Sequence, residues 1–152
     1  MGITIEQVKD IFSNLGNGNP AAFFNYVEED VDWTVTNPDP NFKTHPLAGH
    51  YTGKNEFLEA TDRINNAFQE PINLVIMQEP IVVGNRAVVE MWARDKQGDV
   101  PVGRNGIKYD NRFAWFATFN ETGRICTVRA YLDSAMVRDL LQNPSIPTAR
   151  QL

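Results

Sequence analysis

The chain of 152 residues is long enough for one domain with a hydrophobic core, and 42% of its residues are hydrophobic. Its net charge is -5, with 19 acidic and 14 basic residues, and no cluster of Lys and Arg is present, which argues against nucleic acid as a partner. No apolar run approaches the roughly 18 residues of a membrane span, so no membrane association is expected. The single cysteine, Cys126, excludes an internal disulfide and fits a reducing, cytoplasmic location.

Two helices are predicted at the start of the chain. Thr4 and Gln7 have the spacing of a capping box, and the apolar stripe that follows ends at Gly16. Asn19 and Pro20 provide an N-cap and a first-turn proline for a second, short helix.

A half-buried strand is predicted at 31–36, where apolar and polar residues alternate. Residues 37–50 lack periodicity and predict a long loop that contains both histidines, including His45. Helical spacing returns after Gly53 and predicts a third helix that ends before Pro71.

The second half of the chain predicts strands at 72–83, interrupted by Pro80, and at 86–94. A hairpin of two long alternating strands follows over 109–133. Ser134 is predicted to cap a terminal helix.

Helices followed mostly by antiparallel strands predict an α+β fold in which a curved antiparallel sheet wraps around the N-terminal helices. We expect a single domain at 1–143, and a loose tail at 144–152, where two prolines interrupt the pattern.

The hairpin combines aromatic rings with a few polar side chains on alternating faces. Asn111 shares one face with Phe113 and Trp115, and Arg129 and Asp133 lie in the second strand. Apolar area with a few orienting polar groups is typical of the wall of a ligand cavity. If the apolar face of the second strand lines the cavity, Arg129 and Tyr131 lie outside it, at a dimer contact; if the other face lines the cavity, both belong to its wall.

Five short motifs follow this element order: Trp33-Thr34-Val35, Thr44-His45-Pro46-Leu47-Ala48-Gly49, Lys54 with Glu56-Phe57-Leu58, Asn111-Arg112-Phe113 with Trp115, and Val128-Arg129-Ala130-Tyr131-Leu132-Asp133-Ser134. They resemble the SnoaL-like, ketosteroid-isomerase-related bacterial proteins of the nuclear transport factor 2-like superfamily. The resemblance covers nearly the whole chain. It implies a cone-shaped nuclear transport factor 2-like or cystatin-like domain with a deep apolar pocket, often dimeric through the outer sheet face and generally without a cofactor.

The catalytic residues of the related enzymes are mostly absent. The catalytic positions of ketosteroid isomerases correspond to Ile11, Val35 and Trp115, so that chemistry is not expected. Of the catalytic residues of limonene epoxide hydrolases only Asp133 is present. The resemblance to SnoaL-like polyketide cyclases, which use an Asp on the cavity wall as general acid and base, also leads to Asp133.

Asp133 and His45 each have two interpretations. Asp133 is either a proton-transfer group turned into the pocket or a carboxylate at a helix start that pairs with Arg129. His45 is either a general acid or base near neutral pH or a loop histidine bonded to backbone. The spacing of the histidines and nearby carboxylates matches no metal-ligand pattern, so no metal is expected. The expectation that no cofactor is needed is what the resemblance implies.

The leading hypothesis is a cofactor-free acid/base enzyme of the isomerase, cyclase or lyase type that acts on an apolar, carbonyl-bearing small molecule. The alternative is a non-catalytic small-molecule-binding module of the same fold. In the enzyme hypothesis Asp133 and His45 are catalytic. The residues expected to bind substrate are Trp33, Val35, Met91, Asn111, Phe113 and Trp115. A homodimer is expected, because Trp92, Phe116 and Tyr131 leave an apolar outer sheet face.

Overall fold

Residues 2–142, the part of the chain that the computed structural model describes, form four α-helices and a seven-stranded sheet. The helices are α1 (Ile5–Gly16), α2 (Pro20–Phe24), α3 (Lys54–Asn66) and α4 (Ser134–Gln142). The strands are β1 (Val27–Val35), β2 (Gly49–Thr52), β3 (Asn73–Ile76), β4 (Ile81–Val83), β5 (Arg86–Arg94), β6 (Arg112–Phe119) and β7 (Ile125–Leu132). The predicted tail at 144–152 lies outside the described residues.

The helix starts follow from the capping residues that the sequence provides. The Thr4 side chain accepts a hydrogen bond from the Gln7 backbone N–H at 3.1 Å, and the Gln7 side chain accepts from the Thr4 N–H at 2.9 Å, so the predicted capping box is confirmed. The Asn19 side chain accepts from the Ala22 N–H at 3.3 Å at the start of α2. The apolar stripe of α1 is buried.

The sheet is curved and open, in the order β2-β1-β7-β6-β5-β3, with β4 paired to β5. The α+β prediction is confirmed, and one pairing differs from the purely antiparallel sheet that we expected. β1 runs parallel to β7, with Trp33 opposite Val128 and Val35 opposite Ala130. Alternation assigns residues to faces but does not fix the direction of pairing, which explains the difference.

Three element boundaries differ from the sequence-based predictions. β1 begins at Val27, because the chain already pairs with Ile125 of β7 there. The predicted loop at 37–50 contains a short 3-10 helix at Pro40–Phe42 and the start of β2. β6 begins at Arg112 rather than at residue 109, because Tyr109 bonds to Pro101 within the connection that precedes the strand.

That connection, residues 95–111, positions the start of β6 and the end of α3. The Tyr109 N–H donates to the Pro101 carbonyl at 2.8 Å, and the Arg104 N–H donates to the Ala67 carbonyl at 2.8 Å, just beyond α3. A Cβ added at Gly103 would lie 2.6 Å from Leu140 Cδ1, so glycine allows α4 to pack closely there.

The two faces of the sheet have different environments. Inward residues of β5 and β6 alternate with outward ones, as the period of two predicts, and the inward set is buried. Helices α1 and α2 pack against each other, α1 also contacts β3, and α3 contacts β1, β2 and α4. A space remains between α3 and the inner face of the sheet.

Candidate functional site

A cavity of about 520 Å³ lies between the helices and the inner face of the sheet. Most of its wall is apolar, and its aromatic members are Phe24, Phe57, Tyr109, Phe113 and Trp115. The exposed wall residues mark the opening: Gly18, Pro20, Asp62, Asn65 and Pro71. Volumes of about 300–1,000 Å³ with mainly apolar walls are typical of sites for small organic molecules.

An aromatic cluster forms one side of the cavity. Phe57 of α3 stacks on Trp33 with ring centroids 3.9 Å apart, and Trp33 meets Trp115 edge-to-face at 5.1 Å. Phe24 stacks on Trp33 from the end of α2 at 6.0 Å. Because each ring packs against its neighbours, this side of the cavity is built from interlocked aromatic rings at different angles.

Three of the six predicted substrate-binding residues belong to the wall: Val35, Phe113 and Trp115. Trp33 and Met91, both fully buried, are not part of it. The cavity also includes residues that we did not predict as part of the site: Leu15, Phe24, Leu47, Phe57, Leu58, Ile64, Leu74, Tyr109, Ala130 and Leu132.

The indole N–H groups of Trp33 and Trp115 have no hydrogen-bond acceptor among the described residues. Both nitrogens are buried and surrounded by aromatic rings. The edge-to-face contact between the two indoles brings the positive edge of one ring to the negative face of the other.

Asn111 lies outside the wall and ties β6 to the end of β7. Its side-chain oxygen accepts from the N–H groups of Arg112 at 2.8 Å and Asp133 at 3.0 Å. Its amide donates to the Tyr109 hydroxyl at 3.0 Å and to the Asp133 carbonyl at 3.4 Å. Asn111 is fully buried, and these four bonds use its side chain completely.

Asp133 is exposed and does not belong to the cavity wall. Its carboxylate accepts from the N–H groups of Ala135 at 3.1 Å and Met136 at 3.3 Å, so Asp133 rather than the predicted Ser134 caps α4. It makes no ion pair with Arg129 in the described part of the chain. Arg129 and Tyr131 are exposed on the outer face of the sheet, which is the first of the two alternatives that the sequence left open.

His45 is buried beside the cavity, and both ring nitrogens are engaged. Nδ1 accepts from the Leu47 N–H at 3.1 Å, and Nε2 lies 3.1 Å from the Thr36 hydroxyl. That hydroxyl donates to the Val35 carbonyl at 2.8 Å, so Nε2 carries the proton and donates to Thr36. Thr36 has φ +50°, and His45 therefore stabilises a strained turn. Neither His45 nor Asp133 is on the cavity wall, so the structure does not bring the two predicted catalytic residues together there.

We expect the His45 network to make the folded protein sensitive to mild acid. Burial, assisted by the charge of Lys43, lowers the pKa of His45 from 6.5 to about 4. Because the folded pKa is the lower one, the unfolded chain takes up the proton first as the pH falls. The contribution of the neutral His45 to the free energy of unfolding is complete above pH 6.5. It is lost between pH 6.5 and about 4, with a slope of up to about 1.4 kcal/mol per pH unit.

Urea unfolding of the wild type and of His45→Asn at pH 7, 6 and 5 measures this dependence. The variant should be less stable at pH 7 and should lose less stability than the wild type between pH 7 and 5. His50→Asn, at an exposed histidine that pairs with Asp32, is the comparison variant. If the stability of the wild type and of His45→Asn depended equally on pH, the acid sensitivity could not be assigned to His45.

Within 2–142, no three His, Cys, Asp or Glu side chains are grouped in a way that could hold a metal ion. None of the helices in that range is both long enough and apolar enough to span a bilayer.

A family model described as the SnoaL-like domain matches residues 8–128, which extend from α1 into β7. The chain belongs to the SnoaL-like domain family. The predicted resemblance is thus confirmed, and the matched range contains every wall residue of the cavity except Ala130 and Leu132. A comparison with curated proteins finds no match to this sequence.

Solved structures share the architecture of this SnoaL-like domain at low sequence identity. A protein with a cystatin-like fold from Xanthomonas campestris is 14% identical, with a TM-score of 0.71 over 93% of this chain and 98% of that one. TerC, co-crystallised with polyporic acid, is 16% identical, with a TM-score of 0.68 over 91% and 98%. A protein with a ketosteroid isomerase-like fold from Catenulispora acidiphila, in complex with trimethylamine, is 16% identical, with a TM-score of 0.53 over 85% and 86%. These similarities establish the fold.

Proposed function

We propose that this SnoaL-like domain binds a flat, apolar, carbonyl-bearing small molecule in the cavity between α3 and the sheet. The observation that carries the proposal is the cavity itself, about 520 Å³ in volume and walled by fixed aromatic rings. Burial of apolar ligand area against such a wall provides the affinity. The co-crystals of TerC with polyporic acid and of the Catenulispora protein with trimethylamine are consistent with a small-molecule role for the fold.

Quenching of intrinsic tryptophan fluorescence tests this proposal, because Trp115 lies on the wall and Trp33 contacts it. A set of flat polyketide-like and terpenoid ketones should quench the emission saturably at micromolar concentration. Trp92, on the outer face of the sheet, contributes background emission, so Trp92→Phe sharpens the signal. A complete lack of saturable quenching across the set would overturn the proposal.

The enzyme hypothesis requires a proton-transfer group that reaches this ligand. The positions of Asp133 and His45 support binding without proton transfer, since one caps a helix and the other has both nitrogens bonded. An isomerase, cyclase or lyase activity that uses these two residues therefore remains the second candidate, based on the family resemblance alone.

A pair of Asp133 variants distinguishes the two functions. As a helix cap, Asp133→Ala should lower the free energy of unfolding by about 1 kcal/mol, whereas Asp133→Asn keeps a capping oxygen and should cost only a few tenths. Both variants should keep the ligand affinity of the wild type. In an acid/base enzyme both would instead reduce turnover, by about 100-fold to 10,000-fold. Such a loss, measured on any ketone that the wild type converts, would contradict the structural role.

We also propose a homodimer formed through the outer sheet face. Phe116 and Tyr131 are 37% and 47% exposed there, with their rings edge-to-face at 5.8 Å, and Ile81 of the neighbouring β4 is 62% exposed. Such an apolar patch favours a partner surface. Light scattering at micromolar concentration should give twice the monomer mass, and Phe116→Glu should give the monomer. A monomeric wild type would contradict this.

We also propose a cytoplasmic location, and the single cysteine is the only observation that supports it.

A further inference from the structure

Two residues of the cavity wall carry a hydroxyl group, Thr61 and Tyr109, and only the Thr61 hydroxyl already has an acceptor. Thr61 donates to the Leu58 carbonyl at 2.9 Å within α3. The Tyr109 hydroxyl accepts from the Asn111 amide at 3.0 Å, and none of residues 2–142 accepts its hydrogen. Tyr109 is 1% exposed, and a buried donor without an acceptor is costly.

The protein keeps this hydroxyl protonated and fixed in orientation. Burial raises the pKa of Tyr109 to about 12, with the Asn111 hydrogen bond opposing the rise and the charge of Asp133 adding to it. Because backbone N–H groups of Arg112 and Asp133 occupy the Asn111 oxygen, its amide nitrogen always faces Tyr109. The tyrosine oxygen is thereby used as an acceptor, and its hydrogen is left available.

The charges around the cavity limit the kind of ligand group that this donor can serve. No Lys, Arg or His belongs to the wall that the described residues form, and the carboxylate of Asp62 lies at its exposed rim. A carboxylate ligand would enter without a counter-charge. A neutral carbonyl oxygen needs only a donor.

We propose that Tyr109 donates a hydrogen bond to a neutral carbonyl oxygen of the ligand in the buried part of the cavity, and thereby selects ketones and quinones over the corresponding hydrocarbons. This inference rests on the proposed function, because it assigns the polar contact of that same site. The hydrogen bond from Asn111 polarises the tyrosine hydroxyl and strengthens it as a donor.

A matched pair of probes tests the contact: 9-fluorenone, a flat tricyclic ketone, and fluorene, which has the same rings with a methylene in place of the carbonyl. Calorimetric titration should show that the wild type binds fluorenone about fivefold more tightly than fluorene, the effect of one net hydrogen bond. In Tyr109→Phe the preference should disappear, because fluorenone weakens while fluorene does not. Tyr131→Phe, the same change on the outer face, should keep the preference.

An infrared measurement tests the contact without any substitution. The carbonyl stretching band of fluorenone bound to the wild type should lie at lower frequency than in hexane, as expected for a carbonyl that accepts a hydrogen bond. Binding of both probes with equal affinity, or an unshifted band, would overturn the role of Tyr109 and leave the proposed function intact. Binding of neither probe, together with a lack of saturable quenching across the wider ketone set, would overturn both.

Discussion

Filling the cavity from the sheet side should abolish ligand binding: Ala130→Phe is expected to weaken the affinity for 9-fluorenone at least 100-fold. Ala130 lies on the inner face of β7, opposite Val35 of β1 on one side and Trp115 of β6 on the other, and all three belong to the wall. A phenyl group there occupies the space that the ligand needs. A 100-fold loss corresponds to about 2.7 kcal/mol of binding free energy.

The protein should tolerate this substitution because the cavity offers room for the added ring. We expect a change in unfolding free energy of no more than about 1–3 kcal/mol, the usual range for an enlarged side chain in a core. Ala135→Phe introduces the same group on the exposed side of α4 and should leave affinity unchanged. Calorimetric titration of both variants with 9-fluorenone measures the two affinities. Wild-type affinity in folded Ala130→Phe would mean that the ligand binds elsewhere.

The second large effect is expected on stability. Trp115→Ala should lower the free energy of unfolding by about 3–5 kcal/mol, because it removes a large buried ring and leaves a void. The indole of Trp115 contacts Phe12, Phe23 and Trp33, with ring centroids 6.2, 6.1 and 5.1 Å away. The same substitution removes part of the cavity wall and should weaken fluorenone binding by about 1–3 kcal/mol.

Phe119→Ala is the matched control for this experiment. Phe119 is a buried aromatic on the same face of the same strand, but it is not part of the cavity wall. Urea unfolding should show a comparable loss of stability in both variants, while fluorenone affinity falls only in Trp115→Ala. An equal loss of affinity in the two variants would show that the effect reflects general destabilisation of the fold.

Strand faces could be predicted from the sequence because side-chain direction alternates with a period of two. This rule placed Val35, Phe113 and Trp115 on the inner face, where the structure has them. It could not separate the wall from the packed core behind it. Trp33 is inward too, but Phe57 of α3 covers it, and that contact depends on how a helix distant in the sequence packs.

The roles of the polar residues depended on three-dimensional contacts that no local pattern contains. His45 lies in a segment without periodicity. Its partner Thr36 has a left-handed backbone conformation that no sequence pattern predicts. Asp133 follows the last residue of β7, where alternation no longer predicts side-chain direction. Its carboxylate bonds to the backbone at the start of α4. Tyr109 shares the inward face of the hairpin by period, but its free hydroxyl hydrogen is evident only from its bond to Asn111.

The most direct test of the central claim is a crystal structure of the protein grown with saturating 9-fluorenone. We predict density for the three fused rings inside the cavity, in contact with Phe57 of α3 and with Phe113 and Trp115 of the sheet. Side chains that close the cavity, a cavity without fluorenone, or fluorenone found only on the outer face of the sheet would contradict the account.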